Sequence, residues 1–201
     1  GLLSIGAIDV PRGCDATEHD LSYILSFAEC KVVIAENQTQ VKKILSLKPN
    51  LPLMTALIII DAPSDETKKL CTENNTELYC YDDLIAAGKA WRINNPGAVE
   101  AELEKGSWDD VATIIFTSGT TGEPKGVVLT HGNFITQLDE LPERINIRTG
   151  EKALCVLPVW HAFERLCEYV VLSVGAAVSY SKPIGSVLLP DFQKLNPQIM
   201  P

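Results

Sequence analysis

Apolar positions along the chain follow two alternating rhythms. Short aliphatic runs bounded by turn formers mark buried strands, and stretches with apolar residues three and four apart mark amphipathic helices. Thr17-Glu18-His19-Asp20 has the composition of a capping box, with Leu21, Ile24, Leu25 and Ala28 following at helical spacing. Val32-Val33-Ile34-Ala35 reads as a strand. Val41, Ile44 and Leu45 mark a second helix, closed by Pro49 and Pro52. Leu57-Ile58-Ile59-Ile60 is a further strand that ends at Asp61-Ala62-Pro63. The pattern then predicts a polar helix over 67–74, a strand over 77–81 and a helix over 82–91.

Residues 92–107 carry the weakest periodicity. Asn94-Asn95-Pro96-Gly97 reads as a turn, and Glu100, Glu102 and Glu104 as a solvated face. This stretch is expected to connect a first α/β portion, 1–107, to a second, 108–201. In the second portion, strands over 111–116 and 127–129 flank a Gly/Thr-rich loop. A helix over 133–141, a strand over 153–157, a helix over 163–174 and a strand over 177–180 follow. Residues 181–201 hold one acid, Asp191, and read as the approach to a further segment. Strand–helix alternation predicts an α/β fold, a parallel sheet covered by helices.

Composition narrows the function classes. Hydrophobic residues make up 46% of the 201 positions and charged residues 21%, enough apolar material for a core, which excludes a wholly disordered chain. With 26 acids against 17 Lys and Arg the formal net charge is −9, and no long basic run offsets it, so nucleic acid is not an expected partner. The six cysteines (14, 30, 71, 80, 155 and 167) form no C-x-x-C pair and four sit in apolar surroundings. That usage fits a reducing compartment, and the expected location is cytoplasmic. No apolar run is long enough to span a bilayer, and no signal peptide opens the chain. Peripheral membrane contact of a larger parent is left open, and the chain is expected to be a piece of that parent.

The most informative segment is Thr117-Ser118-Gly119-Thr120-Thr121-Gly122-Glu123-Pro124-Lys125-Gly126, between two apolar strands. Polyphosphate needs many donors at close range, and bulky side chains would hold the backbone away. Three glycines remove that bulk and permit positive φ. Four hydroxyls can donate to phosphate oxygens or ligate a hard cation, and Lys125 adds a point charge. The common G-x-x-x-x-G-K-[ST] phosphate loop leads into a helix. Here Lys125-Gly126 leads into a strand, so the loop closes a hairpin-like connection and would hold phosphate by amides, hydroxyls and Lys125. The alternative is a ligand-free Gly/Thr surface turn.

The segment IIFTSGTTGEPKGVVLTHGNF resembles the phosphate-loop signature of the adenylate-forming superfamily. GAIDVPRGCDAT and LPVWHAFERLCEY resemble its long-chain fatty acid–CoA ligase branch. The resemblance implies a portion of the large N-terminal domain of such an enzyme, with ATP, Mg2+ and coenzyme A as reaction partners and a long-chain fatty acid as substrate. It implies an attack of the carboxylate on the α-phosphorus of ATP, then displacement of AMP by a thiol. Thr117, Ser118, Gly119, Thr120, Thr121, Gly122 and Lys125 would hold the polyphosphate, and Thr117 is also the candidate metal contact. His161 would sit by the reacting acyl-phosphate, with Trp160 and Phe163 lining the acyl channel. Trp160 and Phe163 as core aromatics and His161 as a cap is the other reading. Downstream motifs of the family are absent, so the piece alone is expected to be catalytically silent. A fatty acyl–AMP ligase that loads a carrier protein, and a non-catalytic nucleotide-binding remnant, are the alternative functions. His19 is expected to serve a helix start, His131 is open between site and structure, and Glu164-Arg165 is expected to be an ion-paired helix surface or a sheet contact.

Overall fold

The computed structural model describes residues 1–117 and 123–201. Helix α1 (Glu18–Phe27) starts where Thr17 accepts a hydrogen bond from the Asp20 amide. Only that half of the expected capping box is present: the Asp20 carboxylate turns to Arg12, 3.4 Å away. His19 stands at the helix start, exposed, and Thr17 does the capping. Strand β1 (Val32–Ala35), α2 (Gln38–Ser46), β2 (Ala56–Ile59), α3 (Asp65–Glu73) and β3 (Glu77–Cys80) follow. Asn37 and Ser64 cap α2 and α3 through bonds from the third residue on, the chemistry short polar side chains supply at helix starts.

The three strands form a parallel sheet in the order β1-β2-β3, Val32 facing Ala56 and Ala56 facing Glu77. Its core gathers Leu25, Val41, Ile44, Leu45, Met54, Leu57 and Ile59. Beyond it lie α4 (Tyr81–Asn94) and α5 (Ala98–Leu103). Residues 92–107 are therefore largely helical, not an irregular connection. Gly97 takes φ 78° at the start of α5, so the chain breaks and restarts its helix within four residues. Arg92 ties the pair together by reaching Glu100 at 2.5 Å.

Strands β4 (Val111–Thr117) and β5 (Lys125–Thr130) are antiparallel, and α6 (His131–Ile145) follows directly. Strand β6 (Lys152–Cys155), α7 (Ala162–Ser173) and β7 (Ala177–Tyr180) make a parallel unit, Lys152 facing Ala177. Its core holds Ile147, Ala153, Cys155, Val170 and Val171. Residues 181–201 are more structured than expected: α8 (Gly185–Leu195) forms there, and Ile199 bridges Ala153 in parallel. Pro190 inside α8 disguised it, since proline in an interior usually argues against a helix. The α/β class stands, with parallel units and one hairpin in place of an all-parallel sheet.

Candidate functional site

The β4–β5 hairpin ends in the pair Thr117 and Lys125, which face each other across the ladder. The Thr117 hydroxyl lies 3.5 Å from the Lys125 carbonyl, and both residues are exposed. Pairing at that register sets Thr117 and Lys125 at the two ends of the 118–124 segment. Ser118, Gly119, Thr120, Thr121 and Gly122 lie outside the described residues. Gly126, counted among the glycines that leave room for phosphate, serves the strand itself. From β5 it faces Phe116 of β4, and a Cβ there would meet Ile114 Cγ2 at 2.9 Å and the Phe116 ring at 3.2 Å. Its φ is not positive either.

The second motif begins past the end of β6. His161 occupies the N-cap of α7 in extended geometry, its side chain making no capping bond, which removes the cap reading. The ring is exposed, with its centroid 6.4 Å from that of Trp160. Trp160 is half-buried and closes over Gly13, where a Cβ would come within 2.5 Å of the indole. It is thus a contact between the 157–161 loop and the loop before α1. Phe163, 61% exposed, is not a core aromatic. A cleft of about 400 Å³ opens instead beside the start of α6, bounded by Leu3, Trp108, Asp110, His131 and Ile135. None of Thr117, Lys125, Trp160, His161 and Phe163 lines it.

Of the two readings of Glu164-Arg165, the exposed surface fails and the sheet contact holds: both side chains are buried, Glu164 at 0% and Arg165 at 8% exposure, and Arg165 meets β4. Arg165 forks onto Asp9, Nη1 donating at 2.8 and 3.1 Å and Nη2 at 3.1 Å. Nη1 also donates to the Thr113 hydroxyl at 3.1 Å, and Nε to the Tyr169 hydroxyl at 2.8 Å. The guanidinium carbon sits 5.5 Å from the ring centres of Phe134 and Tyr169, in cation–π range. This is a charge desolvated and fully engaged, not a surface ion pair. The i,i+4 spacing of Arg165 and Tyr169 was legible; the partner Asp9 lies 156 positions away and gave no local signal.

On the adjoining side of α7, Glu164 and Glu168 approach Cys155, one ligand atom from each lying within 4.8 Å of the others. Both Glu164 oxygens and Glu168 Oε1 are buried without a hydrogen-bond partner among the described residues. Burial, with the Glu164 and Glu168 carboxylates nearby, pushes the Cys155 thiol up to about 12. Of the six cysteines, all free, Cys71 and Cys155 are buried and Cys14 is exposed.

The model of the family described as AMP-binding enzyme matches residues 1–201. A chloroplastic long-chain-fatty-acid–[acyl-carrier-protein] ligase of Arabidopsis thaliana is 30% identical over 185 residues, covering 90% of this chain and 25% of its own length. Long-chain-fatty-acid–CoA ligase 1 of Homo sapiens is 27% identical over 210 residues, covering 100% of this chain and 28% of its own. Among solved structures, VinN in complex with L-aspartate superposes with a TM-score of 0.72 at 20% identity, over 100% of this chain and 44% of that one. The chain thus spans about a quarter of the length of the curated relatives it matches.

Proposed function

The chain belongs to the AMP-binding enzyme family, and from that premise we propose that the protein containing it activates a long-chain fatty acid with ATP. The fatty carboxylate attacks the α-phosphorus, the bond to the β-phosphate oxygen breaks, and acyl-adenylate and pyrophosphate result. A thiol then attacks the acyl carbon and AMP leaves with its electron pair. The observation that carries the reading is the hairpin register that sets Lys125 opposite Thr117, at the two ends of the seven-residue segment Ser118-Gly119-Thr120-Thr121-Gly122-Glu123-Pro124. In-line transfer of this kind demands chiefly positioning and neutralised charge. Lys125 supplies an ammonium to the polyphosphate as charge moves onto the departing pyrophosphate. Amides and hydroxyls of Ser118, Gly119, Thr120, Thr121 and Gly122 supply the donors. Thr117 is exposed and its hydroxyl is of the hard-oxygen type that Mg2+ accepts, and a bound Mg2+ would add further neutralisation.

His161, exposed at the N-cap of α7, is assigned to the acyl-phosphate end, and the exposed Phe163 with Trp160 to the acyl chain. Coenzyme A is the proposed acceptor, in line with the human relative. The Arabidopsis relative favours a second reading, in which a carrier-protein thiol takes the acyl group. No described helix is long and apolar enough to cross a membrane. A reducing, cytoplasmic setting is proposed on the free cysteines.

The test is ATP–pyrophosphate exchange driven by fatty acid in the intact parent protein. Lys125→Ala should lower the exchange rate about 10²-fold, the scale for removal of one charge-stabilising donor. Exchange unaltered by the substitution, or absent from the parent, would refute the proposal. Thioester formation with coenzyme A against a carrier protein then separates the two acceptors.

A further inference from the structure

The two halves of the proposed site sit on different elements. Thr117 and Lys125 close the β4–β5 hairpin, and His161 and Phe163 begin α7. Arg165 joins them. Its backbone amide donates to the His161 carbonyl at 3.2 Å, so the residue closes the first turn of α7. Its side chain reaches the Thr113 hydroxyl, four positions before Thr117 on the same strand. The third member, Asp9, is fastened to β4 independently. The Asp9 carbonyl accepts from the Ile114 amide and from the Thr113 hydroxyl, both at 3.0 Å, and its amide donates to Ala112. Arg165 therefore grips β4 twice, directly at Thr113 and through Asp9.

Resting on the ligase reading above, we infer that Arg165 is a positioning residue, one that fixes the His161 end of α7 against the strand that delivers Thr117 to the phosphate loop. Both arms of this link are regular structure: one helical turn separates Arg165 from His161, and Thr113 lies four positions before Thr117 on one strand. A shift at the joint is therefore carried to the reacting groups. Misplacement of about 1 Å can cost about 10²-fold in rate when alignment is the main contribution. The planar fork explains the residue type. Asp9, Thr113 and Tyr169 are served at once by Nη1, Nη2 and Nε, a geometry that a lysine ammonium on a flexible stem does not reproduce.

The experiment uses the intact parent in fatty-acid-driven ATP–pyrophosphate exchange, with rates normalised to folded protein by near-ultraviolet circular dichroism. Arg165→Lys keeps the charge and loses the fork. It should lower kcat at least tenfold while KM for ATP stays within about twofold, because Thr117 and Lys125 are untouched and only their alignment with α7 changes. Thr113→Val, a smaller lesion at the same joint, should lower kcat several-fold in the same direction and decides the matter if Arg165→Lys does not fold. Asp9→Asn combined with Arg165→Lys should cost no more than the worse single change. Val41→Ala, in the core beneath the first sheet, is the control for destabilisation alone and should leave kcat per folded molecule at the parental value. Parental kcat in folded Arg165→Lys and Thr113→Val, or an equal fall in Val41→Ala, overturns the inference while the ligase reading survives. An unaltered parent without exchange overturns that reading, and the positioning role with it.

Discussion

Both carboxylate oxygens of Glu164 are buried without hydrogen-bond partners among the described residues, and the Cys155 sulfur and a Glu168 oxygen stand close by. Charges that crowd together out of water disfavour their own ionised forms. The Glu168 carboxyl is held above its ordinary value by burial and by Glu164, against the opposing help of the Tyr180 hydroxyl and Arg165. Burial and the Glu168 carboxylate push Tyr180 up to about 12, so its hydroxyl remains a donor to Glu168 Oε2 at 3.1 Å. The sign of the stability effect follows. A carboxyl with a raised folded value binds its proton more tightly in the folded state, so the benefit is full below the unfolded value of about 4.3 and is lost as pH rises through the folded value. Glu168→Gln removes that titration and keeps an acceptor for Tyr180. Thermal melts of the intact protein should show the variant gaining on the parent between pH 4 and pH 7. A melting-temperature difference that stays flat or shrinks over that interval would exclude the linkage.

At the scale of elements, the junction of β5 and α6 is the clearest case of local chemistry fixing a boundary. Thr130 accepts from the Asn133 amide at 3.3 Å, and Asn133 Oδ1 accepts from the Thr130 amide at 2.9 Å, a reciprocal capping box. Thr130→Ala should lower stability by about 1 kcal/mol, read as a lower denaturant midpoint at unchanged slope. A slope change would mean that α6 frays as a unit. Local signals of this kind made most of the fold legible in the sequence. Val32 to Ala35 and Leu57 to Ile59 are apolar runs too short for helices, and both are strands. The helix boundaries that went astray did so where local rules mislead: α6 continues past Pro142, α8 contains Pro190, and α5 restarts after Gly97. At the candidate site, the hairpin pairing that brings Thr117 opposite Lys125 was legible because both lie in one contiguous stretch between two apolar runs. The Asp9–Arg165–Thr113 joint was not, because its partners come from three distant stretches that only the folded chain brings together. The composition of Thr17-Glu18-His19-Asp20 suits a full capping box too, but there the acid reaches Arg12 instead.

Over the whole molecule, the outstanding feature is how much apolar surface stays in contact with solvent. Val127 and Val128 on β5 are 44% and 54% exposed, and Ile93, Phe163 and Leu189 are more exposed still. Isolated exposed apolar residues are ordinary, but adjacent ones on a strand beside exposed β-edges invite pairing. The hairpin is a two-stranded sheet, with β4 touched on its outer side by the bridge from Asp9 to Thr113, so β5 presents its outer edge. In relatives four times as long, further segments are available to cover such surfaces. The 201-residue chain taken alone should therefore self-associate, although its net charge of −9 opposes it through mutual repulsion. Sedimentation velocity should show a weight-average coefficient rising with loading concentration, and added salt should steepen the rise by screening the charge. Val128→Lys places a cation on the exposed strand and should suppress association, as lysine does on natural edge strands. A monomer at every concentration, or association that Val128→Lys leaves intact, would remove β5 as the adhesive surface.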